Sequence, residues 1–394
     1  MKIFEVIIMT LASKSDTNNS SARLECIDIF RGLTMALMLM VNNPGNPNTI
    51  PVQLEHASWN GFTLADLVFP FFLFIMGVVV PVSINNRLAK GTGKITIIVH
   101  IFLRSIQIFL LGLVLNGFPL FDLNTIRIPG VLQRIAVVYL FSALLYLLCK
   151  SIFKKETVQM GVQLLTSVFL LLLYGVLLKV VHVPGYGQGV MELQGNLVQY
   201  IDLKLLPGHL YKPDWDPEGI LSTLPALASG IIGVLAGMIL IKPNKWIIKM
   251  AVFIGSGGLL LLAAALLNTV FPYNKNLWSS SYVLLTSGLG ILLLAFFYLL
   301  TDRMKSGKIF KPFKAIGASA IFVYFVSELI RRTLWLIPVQ DATGSTMTLK
   351  IWLTTRLISP WAHGLDSLYF SIFYVMVWLV IMGVLYHRKI YIRL

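Results

Sequence analysis

Long apolar runs dominate the pattern of this chain. Ten stretches are nearly free of charge: about 26–42, 64–86, 94–116, 130–149, 158–181, 218–240, 246–270, 278–301, 314–334 and 366–387. About 20 apolar residues in a helix cross the roughly 30 Å hydrocarbon core of a bilayer. The pattern therefore predicts an all-α, polytopic membrane bundle of about ten transmembrane helices. The first run is the weakest, because Asp28 and Arg31 lie within it. No repeat of 20–50 residues is visible, and the only compositional bias is an Asn/Ser patch near residue 18.

The charges between the runs predict orientation. With a cytoplasmic N-terminus, alternate loops on that side hold Arg87, Lys90 and Lys94; Lys150, Lys154 and Lys155; Lys242, Lys245 and Lys249; and Arg303, Lys305, Lys308, Lys311 and Lys314. The tail adds Arg388, Lys389 and Arg393, and the N-terminus Lys2, Lys14 and Arg23. That side then carries 20 of the 32 basic residues and the opposite loops 8. Short basic loops stay cytoplasmic, so both termini are expected inside. The outer side receives three long loops, 43–63, 182–217 and 335–365, and long ordered loops are usually functional.

Composition agrees. The 394 residues are 57% hydrophobic and 12% charged, with a mean hydropathy of +0.79. That is too apolar for a soluble domain and far from disorder. The net charge of +15 is spread among loops rather than gathered in one stripe, so a lipid bilayer and not nucleic acid is the expected partner. Cys26 and Cys149 have no metal-ligand or CxxC spacing and read as free structural thiols. The start, "MKIFEVIIMTLASK", faintly resembles a signal peptide but carries Glu5 in a short apolar run. We expect an N-terminal cytoplasmic segment at 1–22 and one transmembrane domain at 23–394.

Ionisable side chains inside a membrane cost about 2.5–3.5 kcal/mol each on insertion scales, so they face a bundle interior or a wet cavity. Asp28 and Arg31 share a helix face. They form either a mutual ion pair or a basic group facing an anionic ligand from the cytoplasm. Arg104 lies deepest and needs a partner. "DPEG" at 216–219 reads as a helix start, with Asp216 as N-cap and Pro217 at the first position. Asn42, His56, Asp66, Arg134, Glu328 and the "YNKNLW" loop from Tyr273 to Trp278 are expected at one depth near the outer surface. One such charge is a structural pair; several suggest a site. A lone loop histidine is more often simply solvated. His56 differs in lying between Asn42 and Asp66, in a loop that leads straight into a span. There is no HExxH, GxSxG, P-loop or dinucleotide fingerprint, and no metal is expected.

Six blocks occur in order: "DIFRG" at 28–32, "LMLMVNNPG" at 37–45, "HASWNGFTLADLVFPFFLFIMG" at 56–77, "RIPGVLQR" at 127–134, "DPEGIL" at 216–221 and "NKNLWSSSYV" at 274–283. Together they resemble the membrane domain of the heparan-α-glucosaminide N-acetyltransferase family and its bacterial relatives. The similarity covers nearly the whole chain after about residue 22, without the large luminal domain of the animal lysosomal enzyme. It implies a bacterial inner-membrane protein that moves acetyl from cytoplasmic acetyl-CoA to an amino sugar or glycan terminus outside, with His56 periplasmic. It also implies that His56 is the active-site histidine and Asn42 its companion, and it suggests a homodimer.

The residues fit that chemistry. Histidine suits proton removal near neutral pH, and an Asn amide can stabilise the thioester oxyanion. Asp66 or Glu55 could orient the imidazole. His56 could instead carry the acetyl group covalently. Arg31 and cytoplasmic-loop lysines are expected at the nucleotide end of acetyl-CoA. Arg134, Asn274, Lys275, Asn276 and Trp278 are expected around the reaction chamber. Two other classes fit the polar interior: a solute transporter, and an O-acyltransferase acting on a cell-envelope glycan.

Overall fold

The computed structural model describes residues 24–341 and 344–392. The expected segment 1–22, together with Arg23 and Arg393, lies outside them. Eight of the ten expected spans are present as long apolar helices: α2 (Leu64–Ala89), α3 (Lys94–Gly117), α4 (Val131–Ile152), α5 (Glu156–Val180), α7 (Thr223–Ile241), α8 (Trp246–Leu267), the helix that opens as α9 (Ser280–Phe297) and runs on to Arg303, and α14 (Asp366–His387). A helix satisfies its own backbone polar groups, which hydrocarbon cannot do.

The expected count of ten is reduced in two places. The run at 314–334 is not one straight helix. It divides into α10 (Lys311–Ala318) and α11 (Ala320–Leu336), and the chain bends by 74° at that break. It supplies a ninth crossing only if the bent pair spans as one unit. The first run is α1 (Glu25–Asn42), an 18-residue helix too charged to pass as a simple span. Its charges are paired instead. Arg31 bonds Asp28 at 3.0 Å, and Lys314 bonds Glu25 at 2.5 Å. Both termini lie on one side if α1 and the bent pair both cross, or if neither does.

The start of α7 also differs from expectation. Asp216 does not cap a helix at 218. Its Oδ1 accepts the Glu218 amide N–H at 2.8 Å, closing a turn, and α7 begins at Thr223. Of the long loops, 182–217 contains α6 (Leu197–Leu205). The 335–365 loop contains the antiparallel strands β1 (Pro338–Gln340) and β2 (Thr346–Thr348), then α12 (Leu349–Leu357) and α13 (Ser359–Ala362).

The chain divides into two compact units. One holds the described residues up to His56, Thr63–Val68 and the chain from Phe297 onward; the other holds Ala57–Phe62 and Phe69–Phe296. In the second, α2 and α7 are central, with 72% and 78% of their apolar windows buried, whereas α8 buries 17%. The outer faces, such as Leu259, Leu262 and Leu266, are the lipid-facing surface of a membrane protein. In the first unit, α1 begins without a side-chain cap of its own. Asp302 supplies one, accepting the Glu25 and Cys26 amides at 3.0 and 2.9 Å. Cys26 and Cys149 are free and buried.

Each unit has a crossing in which backbones touch. In the second, a Cβ on Gly77 would lie 2.1 Å from the Gly230 carbonyl oxygen, and one on Gly233 2.1 Å from that of Phe74. In the first, a Cβ on Gly317 would lie 2.0 Å from the Asp28 carbonyl oxygen. Lipid tails are as apolar as leucine, so helices in a membrane gain by such close packing rather than by escaping solvent. Gly233→Ala should therefore cost about 1–3 kcal/mol through overpacking. We expect a lower melting temperature and less monodisperse protein in detergent. Gly255→Ala, where a Cβ meets nothing within 4 Å, is the silent control.

Candidate active site

The loop 43–63 reaches α2 through two short 3-10 turns, 47–49 and 52–54. Thr63 and Asp66 then start the helix together. Asp66 Oδ2 accepts the Thr63 amide N–H at 3.0 Å and the Thr63 hydroxyl approaches it at 3.2 Å, a variant of the capping box. The other oxygen, Oδ1, lies 2.8 Å from His56 Nδ1. Asp66 is buried, while the His56 side chain is 49% exposed. A carboxylate beside Nδ1 holds the proton there and leaves the lone pair on Nε2. An oriented imidazole with one basic nitrogen accessible from outside is the arrangement a general base needs. Of the two carboxylates weighed for this task, Asp66 makes the contact.

Asn42 ends α1 in the same unit. Its Nδ2 donates to Glu328 Oε1 at 2.9 Å, and Arg331 holds the other Glu328 oxygen at 2.7 and 2.9 Å. The amide is thereby fixed in orientation. Near Glu328 and Arg331, α12 buries Lys350, whose ammonium lies 5.5 Å from the Trp335 ring centroid and 5.7 Å from that of Phe370. Burial, and then the neighbouring Arg331 cation, push this ammonium down to about 7. Sequence alone gave no sign of it, because Lys350 was one of eight bases in outer loops. Arg31 is drawn into α1's packing: besides Asp28, its Nε donates to the Gly317 carbonyl.

The second unit gathers the remaining predicted residues. Arg134, in the first turn of α4, is 2% exposed. Its Nη2 donates to Ser222 Oγ at 2.5 Å and the Gly219 carbonyl at 3.1 Å, and the guanidinium lies 4.9 Å from the Trp278 ring centroid. Nε and Nη1 of Arg134 have no partner among the described residues. Trp278 sits at φ +53°, fully buried. Asn274 organises the turn before it: its Oδ1 accepts the Leu277 amide at 2.8 Å, and its Nδ2 donates to Asn60 at 3.1 Å. Lys275 acts electrostatically on Glu218, and Asn276 lines a small cleft. Arg104, expected to need a partner, lies 5.3 Å from the Tyr139 ring centroid, and its Nε has no hydrogen-bond partner among the described residues.

Two further groups went unnoticed in the sequence. Arg127 grips Asp216 with two bonds of 2.8 and 2.7 Å and also binds Glu218. Burial alone would raise the Glu218 carboxyl, but Arg127, Arg134 and Lys275 outweigh it and hold it below the ordinary range. Asp202, on α6, is fully buried. Its Oδ1 accepts the Ile220 amide at 2.8 Å, while Oδ2 has no hydrogen-bond partner among the described residues. Burial lifts this carboxyl to about 7. The available signal was a lone carboxylate in an apolar nonapeptide, "LVQYIDLKL".

The chain is similar to known proteins. Residues 23–186, which include Asn42, His56, Asp66 and Arg134, match the family model described as heparan-alpha-glucosaminide N-acetyltransferase, catalytic. The mouse (Mus musculus) heparan-alpha-glucosaminide N-acetyltransferase is 31% identical over 80% of this chain and 55% of its own length. The human (Homo sapiens) protein of that name is 30% identical over 94% of this chain and 59% of its own. The chain thus spans between half and three-fifths of the length of these relatives. With the ordered motif blocks and the multi-pass helical bundle, these matches make the chain similar to the heparan-α-glucosaminide N-acetyltransferase family over most of its length.

Proposed function

We propose that this chain is a transmembrane acetyltransferase. It takes acetyl from acetyl-CoA on the side of the basic loops and passes it to the amine of a glucosamine-type sugar on the other side. The observation that carries this reading is the 2.8 Å contact between His56 Nδ1 and buried Asp66, in a chain similar to this family. The amine nitrogen of the sugar attacks the thioester carbonyl. His56 Nε2 takes the amine proton as the carbon–nitrogen bond forms. Negative charge collects on the former carbonyl oxygen, where the Asn42 amide is the donor we assign. The carbon–sulfur bond then breaks, CoA leaves as thiolate, and the proton on His56 returns to the thiolate or to water. Direct transfer needs no covalent intermediate, and Asp66 supports the imidazolium in the step that charges it.

On this reading Arg134 and the turn carrying Asn274, Lys275, Asn276 and Trp278 shape the chamber wall. Arg31 and the basic-loop lysines serve the nucleotide phosphates. Acetyl-CoA is a co-substrate, and the described residues contain no metal-ligating cluster.

Purified protein given labelled acetyl-CoA and glucosamine should release labelled N-acetylglucosamine. His56→Ala should lower kcat by about 10²–10⁴, the usual worth of a positioned base. Asn42→Ala should lower it by about 10²–10³, as for a lost oxyanion donor. Wild-type turnover in His56→Ala removes the central claim, and uptake of sugar into liposomes without acetylation replaces it with transport. For the donor, Arg31→Gln should raise KM for acetyl-CoA and leave that for glucosamine. An unchanged donor KM leaves Arg31 only as a brace between α1 and α10.

A further inference from the structure

Arg104 lies ten residues beyond Lys94, the first residue of α3. At 1.5 Å per residue that is about 15 Å along the axis, half the hydrocarbon thickness of a bilayer. The acetyl-transfer scheme gives this charge no task. One face of its guanidinium is covered by Tyr139 of α4, whose ring centroid lies 5.3 Å away. A ring face attracts the cation but supplies no oxygen to its N–H groups. Nε has no hydrogen-bond partner among the described residues.

The neighbouring polar groups are donors too. His100 precedes Arg104 by one helical turn, and Arg87, near the end of α2, donates from Nη2 to His100 Nε2 at 2.7 Å. That bond uses the Nε2 lone pair, so the imidazole proton sits on Nδ1 and is left to donate. Side chains tilt toward the N-terminus of their helix. Since α2 runs toward the turn at 90–93 and α3 away from it, Arg87 reaches into the bilayer and Arg104 back toward the turn. Both charges act electrostatically on His100.

No carboxylate answers them. The sequence holds no Asp or Glu between Asp66 and Asp122, or between Asp122 and Glu156. Asp66 begins α2 and Asp122 follows α3, so both lie at the far end of these helices. Among the described residues, none of Arg87, Lys90, Lys94, His100 and Arg104 forms an ion pair with a carboxylate.

The cluster is open to the bilayer. His100 and Arg104 are half-buried, at the border between the buried stripe of Ile97, Ile101 and Ile108 and the outer face of α3. Leu103 and Leu110 on that face, and Phe141 and Leu148 on α4, are exposed. A phosphate can reach the donors from this side while its hydrocarbon tails lie along the exposed leucines. Basic pockets between membrane helices bind anionic headgroups in this way.

We propose that Arg87, His100 and Arg104 bind the phosphate of an anionic phospholipid at the end of the bundle that carries the short basic loops. A headgroup with a net negative charge fits. A zwitterionic one would bring its terminal cation against exposed Lys90 and Lys94, with no acid to receive it. The proposal does not depend on the acetyl-transfer reading.

The test uses protein stripped of lipid in a neutral detergent and titrated with phosphatidylglycerol or phosphatidylcholine in mixed micelles. Retained lipid is counted by native mass spectrometry, and melting temperature is followed alongside. Wild type should retain phosphatidylglycerol over phosphatidylcholine and melt higher with the first alone. Arg104→Gln and Arg87→Gln should each cut phosphatidylglycerol retention by about fivefold, the usual worth of one basic residue facing an anionic headgroup. Phosphatidylcholine retention should not change, and Arg104→Lys should recover part of the loss. Lys245→Gln, in another basic loop, should bind as wild type does; an equal loss there reduces the site to a general surface charge and overturns it. Wild type that retains both lipids equally overturns it without reference to any variant, as does full phosphatidylglycerol retention in Arg104→Gln. Inorganic phosphate and CoA should leave the bound lipid in place. Displacement by either gives the cluster to a soluble phosphate and removes the lipid site.

Discussion

Hydrocarbon offers no hydrogen bonds, and this one constraint organises the chain. Every backbone amide at depth must find its partner within its own helix, so the spans are helices and the irregular segments lie at their ends. Helices surrounded by lipid then need a source of cohesion other than exclusion of water. Here it is contact between backbones, at Gly77 with Gly230 and Gly233 in one unit and at Gly32 with Gly317 in the other. With the interior committed to close packing, chemistry is confined to helix ends and to the loops that join them. His56, Asn42, Arg134 and Trp278 all lie there.

Asp66 illustrates how a helix end becomes a working part. One oxygen satisfies the start of α2 through Thr63, and the other holds the imidazole of His56. Because the carboxylate is already positioned by the cap, it spends no further conformational entropy in orienting the histidine. Glu328 plays a parallel part for Asn42, anchored by Arg331 three residues on. In both cases a buried carboxylate fixes a neutral side chain whose polarity the reaction would use, and that is preorganisation in its simplest form.

The spans were legible because the hydropathy of a membrane helix is a local signal about 20 residues long. The failures came where local pattern and tertiary contact disagree. The run 314–334 is free of charge from Ala315 to Ser327, yet the chain breaks at Ser319, beyond Gly317, whose backbone is pressed against Asp28 nearly 290 residues away in sequence. "DPEG" has the composition of a helix cap, but Arg127, 89 residues earlier, captures Asp216 and turns it to another use. The His56–Asp66 pair was legible because its partners lie ten residues apart on a loop and the helix that follows. Asp202 and Lys350 were not. A single charge in an outer loop looks solvated until the fold shows it buried.

The acidic residues explain the sign of the whole chain. Only 17 carboxylates face 32 basic side chains, and seven of the 17 are buried among the described residues: Asp28, Asp66, Asp202, Asp216, Glu218, Glu328 and Asp366. Among the described residues, Arg134, Lys249 and Lys350 are the buried bases. A carboxylate is compact and accepts several hydrogen bonds, so it can anchor amides, hydroxyls and imidazoles at helix ends where a long cationic chain cannot. Lysine and arginine instead remain near the surface, where their stems cover apolar atoms and their heads reach water and lipid phosphate. The net charge of +15 is therefore the residue of a division of labour, with acids placed inside as fixed acceptors and bases left outside. A high positive charge on such a chain says nothing of an anionic macromolecular partner. The informative charges are the few negative ones that the fold has gone to the cost of burying.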